Sequence, residues 1–220
     1  MPEKLRILFE KSGRAVYISH LDLMRTMQRA FLRAGYALKY SEGFNPHPVI
    51  SILLPLSVGA SSQCELMDFQ LETEADLEEL PARLTAAMPE GIRVLSAYPA
   101  QRKAKELKWL RIAGRLEYDT ADATEMRDGL QRFFAQESIV IRKKTKRGEG
   151  ESDIAPAIRS IGFEASDRTV EVHAVISAQE PTLNPDQLIS ALEQRAMQLT
   201  PDYAEFRRLE VYDAQMKEFR

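Results

Sequence analysis

Arginine recurs at every fourth position along one short stretch of the chain, at Arg25, Arg29 and Arg33, with Asp22 three residues ahead of the first. On a helix, steps of three and four bring side chains onto one face. A planar guanidinium presents a fork of donors that fits phosphate or carboxylate, so three arginines without a lysine read as an anion-facing stripe. The competing reading is a solvated face on which Asp22 pairs with Arg25. Ser19 and His20 sit just ahead, where such a helix would begin: Ser19 as the N-cap, with Asp22 as a variant of the capping box. A histidine there feels the positive helix end, which keeps the ring neutral and able to bind or take a proton near a phosphate. A partly buried histidine bonded to a neighbouring loop is the plainer account.

Residues 39–48, Lys-Tyr-Ser-Glu-Gly-Phe-Asn-Pro-His-Pro, make a second group. Gly43 permits a turn, and Pro46 and Pro48 hold Asn45 and His47 extended. Tyr40, Ser41, Phe44, Asn45 and His47 are then presented in fixed directions. Aromatic faces with amide and imidazole edges suit stacking on, and reading, an unpaired base. A rigid crossover plugging the end of the core would explain the same residues. The expectation is one composite ligand site of Ser19, His20, Asp22, Arg25, Arg29, Tyr40, Ser41, Phe44, Asn45 and His47, with helix and loop forming one surface.

Two basic runs flank it. Arg102, Lys103, Lys105, Lys108 and Arg111 surround Trp109, and Arg142, Lys143, Lys144, Lys146 and Arg147 fall within six residues. Cations with an interleaved aromatic suit an RNA backbone with occasional base stacking; charge runs are also commonly solvated loops and linkers. The net charge of −3 means that any nucleic-acid contact must be such a local patch, and the acidic stretch 65–79 shows that charge is segregated along the chain. The single cysteine, Cys64, excludes an internal disulfide and an iron–sulfur cluster held by the chain's own thiolates, and suggests a reducing compartment. It opens an alternating stretch and reads as a small buried strand residue. His20, His47 and His173 have no metal-ligand spacing, so neither metal nor cofactor is expected.

The elements that must position these residues follow from periodicity. With 44% hydrophobic and 29% charged residues among 220, the chain reads as soluble and globular, with one large or two small domains. No apolar run approaches the roughly 20 residues of a membrane span, and the start lacks a secretory apolar core. Alternation predicts strands at 5–9, 50–54, 66–71 and 92–98, with extended chain at 15–19; apolar residues at helical spacing predict helices at 20–34 and 74–88. The order β-α-β-β-α-β is that of a ferredoxin-like unit. Strands at 114–118, 138–143, 168–176 and 206–212, with helices at 121–135 and 184–198, repeat it more weakly. The expected fold is α+β, two tandem ferredoxin-like units at 1–100 and 113–220 joined by a basic, partly helical connector at 101–112.

The motif Ile18-Ser-His-Leu-Asp-Leu-Met-Arg25, with Arg29-Ala30, Arg33-Ala-Gly35, Tyr40-Ser41, Gly43-Phe-Asn-Pro-His-Pro48 and Pro55-Leu56 before Gly59, resembles the radical-SAM-linked domain family of unknown function. In the second half the similarity rests on Lys143-Lys-Thr-Lys146, Asp153-Ile154 and Leu183-Asn-Pro185. Members of that family occur alone or fused behind cobalamin-binding radical SAM enzymes, often near genes for ribosome or RNA processing. The resemblance implies a cytoplasmic, non-catalytic partner of such an enzyme, binding RNA or presenting a substrate. A metal-independent endoribonuclease using His20, and a protein-interaction module that docks the enzyme, are the alternatives. Tandem ferredoxin-like units also look like the RNA-processing endoribonucleases of CRISPR systems, but their glycine-rich loop near the C-terminus is not seen here.

Overall fold

Residues 4–145 and 148–220 are described by a computed structural model, an α+β protein whose chain divides into two compact units, one ending at Glu106 and the other spanning Leu107–Phe219.

In the first unit, β1 (Leu5–Lys11) lies between β3 (Ser61–Phe69) and β4 (Ile92–Pro99), and β2 (Ile50–Ile52) pairs with the last three residues of β3. Every pairing is antiparallel. The helix α1 (His20–Arg33) buries Leu23, Met27, Ala30 and Phe31, the i, i+4, i+7, i+8 stripe that one helical face requires. Phe31 packs on Phe69 with ring centroids 4.9 Å apart. Burying each of these larger side chains stabilises by about 1.5–3 kcal/mol. Gly35 ends the helix with φ +81°, a conformation in which a Cβ would be strained.

Local chemistry redraws three expectations here. Residues 13–17 form a 3₁₀ turn rather than extended chain, entered through Gly13 at φ +53°. The second helix, α2 (Leu80–Ala86), is half the expected length: Asp76 accepts the Glu78 and Glu79 amides in a turn, and Pro81 then sets the first helical turn. The strand after residue 60 begins at Ser61, earlier than expected, and buries Cys64.

In the second unit, β5 (Leu107–Glu117) is central. The antiparallel order is β10 (Tyr203–Asp213), β5, β9 (Thr169–Ser177), β8 (Ile158–Ser166). The helix α3 (Ala123–Phe134) packs on β8 and β9, with Phe134 stacked on Phe163 at 5.7 Å, and α4 (Asp186–Arg195) precedes β10. The strand expected at 138–143 belongs instead to a separate hairpin, β6 (Val140–Thr145) with β7 (Gly148–Asp153). The sheet strand in its place is β8, whose Arg159, Ser160, Gly162 and Glu164 break up the apolar signal of an edge strand. The expected connector also divides: only Ala104–Glu106 is helical, as a 3₁₀ turn, and Leu107 onward is strand.

Candidate functional site

The residues of the expected composite site fall into two groups anchored at opposite ends of α1. Ser19 caps the helix: its Oγ accepts the Asp22 amide at 3.2 Å and donates to Asp22 Oδ2 at 2.8 Å. Arg25 Nη1 donates to Asp22 Oδ1 at 3.0 Å. The Ser19 hydroxyl first, and Arg25 second, hold the Asp22 carboxyl below its ordinary range. His20 is exposed and has no hydrogen bond among the described residues. Beneath this end lies Lys11, 1% exposed, with Nζ donating to the carbonyls of Val16 at 3.2 Å and Ile18 at 3.0 Å. Burial pushes its pKa down, and the charge of buried Glu65 opposes that shift.

The loop group hangs from the other end. α1 carries the chain about 20 Å along its axis, and the Lys39 amide then bonds the Gln70 carbonyl, at the sheet end where β1 begins. Residues 39–49 form a small hairpin. Ser41 N donates to His47 O at 2.8 Å, and Tyr40 bridges to Pro48. The Ser41 Oγ accepts the His47 amide at 3.1 Å and lies 2.9 Å from His47 Nδ1. His47 Nδ1 also lies 3.3 Å from the Asn45 carbonyl, so this ring nitrogen sits between the Ser41 hydroxyl and a backbone acceptor. Ser41 and His47 therefore orient each other. Phe44 is fully exposed at the tip and Tyr40 is half-exposed. Among the described residues no hydrogen bond or ion pair joins this hairpin to Ser19, His20 or Asp22, so a single surface around His20 and His47 is not formed by such contacts.

The arginine stripe meets a partner that the sequence did not reveal. Arg29 and Arg33 line a groove of about 630 Å³ together with Arg83 of α2. Arg83 comes from fifty residues away, and no local spacing signalled it.

The second unit shows a different surface. Leu110, Ile112 and Leu116 of β5 are buried on the helix side, so Trp109, Arg111, Ala113 and Arg115 alternate onto the helix-free face. Trp109 stands directly across from Tyr212, and Ser177 is its small neighbour on β9. The Arg159 guanidinium lies 5.3 Å from the Trp109 ring centre, Lys108 Nζ 5.9 Å, and Arg111 6.0 Å from the Tyr212 ring. Lys108 is also held by the carbonyls of Gln179 and Glu180 at 3.1 and 2.8 Å. Two half-buried aromatic rings with three cations beside them thus occupy one end of this face. Lys108, Trp109 and Arg111 were legible from the sequence. Tyr212 and Arg159 were not, because strand pairing brings them in from 100 and 50 positions away.

The remaining basic candidates have mixed roles. Arg102 pairs with Glu106 at 3.3 Å, and its carbonyl accepts from buried Arg6, whereas Lys103 and Lys105 are exposed. Arg142 is exposed on β6, where its backbone is tied to α4: its amide donates to Gln194 Oε1 at 2.8 Å and its carbonyl accepts from Gln194 Nε2 at 3.1 Å. Lys143 follows on the same strand, as does the backbone of Lys144. Lys146 and Arg147 lie outside the described residues. Among the described residues no cluster of three His, Cys, Asp or Glu side chains is arranged to hold a metal, and no helix is long and apolar enough to cross a membrane.

Residues 4–185 match the model of a family described as "Uncharacterized protein conserved in bacteria (DUF2344)". The chain belongs to this family. No curated protein matches it. Among solved structures it is similar to a chain of the "Crystal Structure of a Cbf5-Nop10-Gar1 Complex", at 12% identity and a TM-score of 0.51, over 98% of this chain and 50% of that one. This family member thus spans about half the length of that chain, and the likeness is one of α+β fold. A second structure, of an unknown protein from Galdieria sulphuraria, aligns at 9% identity and a TM-score of 0.28 over 94% of this chain and 99% of that one.

Proposed function

We propose that this protein binds single-stranded RNA over the helix-free face of its second unit, as a non-catalytic component of an RNA-handling system in the cytoplasm. The observation that carries the reading is the pairing of Trp109 with Tyr212 across β5 and β10, flanked by Arg159, Arg111 and Lys108. Bases stack on aromatic rings whatever their sequence, and guanidiniums add cation–π attraction and phosphate contacts. The strand order β4-β1-β3-β2 in the first unit and β10-β5-β9-β8 in the second supports reading each as ferredoxin-like, the second with β6–β7 inserted. A four-stranded sheet with helices on one side leaves its other face for stacking, as RNA-recognition modules use it. The basic run from Arg142 would track the backbone.

The resemblance to radical-SAM-linked proteins adds a partner to this proposal: the bound RNA would be what the chain presents to a cobalamin-binding radical SAM enzyme. His20, exposed and without a bonded acid to orient it, supports a binding role over general-base cleavage. In filter binding with single-stranded oligoribonucleotides, Trp109→Ala should weaken affinity about 5- to 150-fold, since one stacked base contributes about 1–3 kcal/mol. Unchanged affinity in Trp109→Ala and Arg159→Ala would remove this face from the site.

A further inference from the structure

We propose that the groove between α1 and α2 binds a phosphate group through Arg29, Arg33 and Arg83, a site separate from the aromatic face and independent of the RNA reading. In the first unit Arg6, Arg25, Arg93 and Arg102 each have a carboxylate partner. Arg14, Arg29, Arg33 and Arg83 have none among the described residues, and the last three share one groove whose lining contains no Asp or Glu.

Two of them are fixed in place by a reciprocal arrangement. Arg33, in the last turn of α1, donates to the Ala87 carbonyl that ends α2. Arg83, in the last turn of α2, donates to the Ala34 carbonyl that ends α1 at 2.6 Å, and its guanidinium lies over the Tyr36 ring at 4.7 Å. Each helix is capped by the other's arginine. Capping accounts for one donor of the five on each guanidinium. It does not account for Arg29, which caps nothing. Two helix ends contribute about half a negative charge each at most, against three guanidiniums, so the groove keeps about two positive charges. Three guanidiniums lining one groove without a carboxylate attract a counter-anion, and guanidinium forks match phosphate oxygens. The equivalent groove of the second unit shows the contrast: Arg132 and Arg195 line it together with Glu125 and Asp128.

The phosphate could belong to a small phosphorylated molecule or to an RNA backbone. Inorganic pyrophosphate is the probe, titrated calorimetrically into the whole protein in a zwitterionic buffer. Wild type should bind it. Arg29→Gln should weaken binding at least about tenfold, since a charge-assisted bond contributes about 1.5–3 kcal/mol. Arg29→Lys should restore part of it. The melting temperature without ligand should not fall in either, because Arg29 holds no structural bond. If pyrophosphate also competes with an oligoribonucleotide and Arg29→Gln weakens that complex, the phosphate is the backbone's. If the oligoribonucleotide is indifferent to both, it belongs to a small molecule. Absence of pyrophosphate binding, or binding unchanged in Arg29→Gln, overturns the site. Trp109→Ala leaves this titration untouched, so the two proposals fail separately.

Discussion

Individual side chains in this protein carry distinct and separable jobs. Tyr118 is buried, and its hydroxyl donates to the Leu199 carbonyl at 2.9 Å. Burial first, and the Asp202 charge second, push its pKa up to about 12. The folded protein then holds a proton that the unfolded chain gives up near pH 10, so this contribution is intact below pH 10 and lost as pH rises toward 12. Denaturant unfolding should show stability falling by about 1.4 kcal/mol per pH unit from this group between pH 10 and 12. Tyr118→Phe should flatten that part of the curve. A second residue-scale test concerns the cap of α1. Ser19→Ala removes the acceptor for the Asp22 amide and should cost about 1 kcal/mol by the same measurement. If Ser19 only caps, RNA affinity stays as it was.

At the scale of elements, turns and inserted pieces decide where candidate residues end up. Gly91 has φ +89°, and a Cβ there would sit 2.3 Å from the Ser12 carbonyl oxygen. Its own carbonyl accepts the Ser12 amide at 2.8 Å, tying β4 to the turn after β1. Gly91→Ala should therefore destabilise by more than about 2 kcal/mol, read as a lower urea midpoint with an unchanged slope. The β6–β7 hairpin is held differently, by the two bonds from Gln194 to the Arg142 backbone, by Arg195 to the Val140 carbonyl at 3.1 Å and by Asp153 accepting the Ile139 amide at 2.8 Å. Gln194→Ala should speed hydrogen exchange at Arg142 while leaving β5 and β9 protected. What was legible from the sequence tracks this scale. Helix α1 was readable because its cap, its apolar stripe and Gly35 all agree. The edge strand β8 was not, since a bulge falls at Arg159, Ser160 and Gly162 follow it, and little of the strand is buried. The end-to-end separation of the two motif groups was hidden for a related reason. Fourteen residues lie between Gly35 and β2, but the helix between His20 and Gly35 spends its length crossing the unit.

Across the whole molecule, the candidate site was less legible than the fold, because the aromatic face is assembled by pairing β5 with β10 and setting β8 beside β9. Only Trp109 and its immediate neighbours announced it. Electrostatics gives one global check. A chain of net charge −3 that binds RNA through a local patch should lose affinity steeply with salt, and each phosphate-contacting cation removed, such as Lys143→Ala, should lower the log–log slope by about 0.7. The central claim has a more direct readout, because Trp109 is the only tryptophan in the chain. Its emission reports on the proposed stacking platform without any label. Titrating single-stranded RNA into the intact protein should quench Trp109 fluorescence saturably, with a midpoint that matches the affinity from filter binding and moves to higher RNA concentration as salt is raised. RNA that binds while the emission of Trp109 stays constant, or an RNA titration with no binding at low salt, would contradict the account.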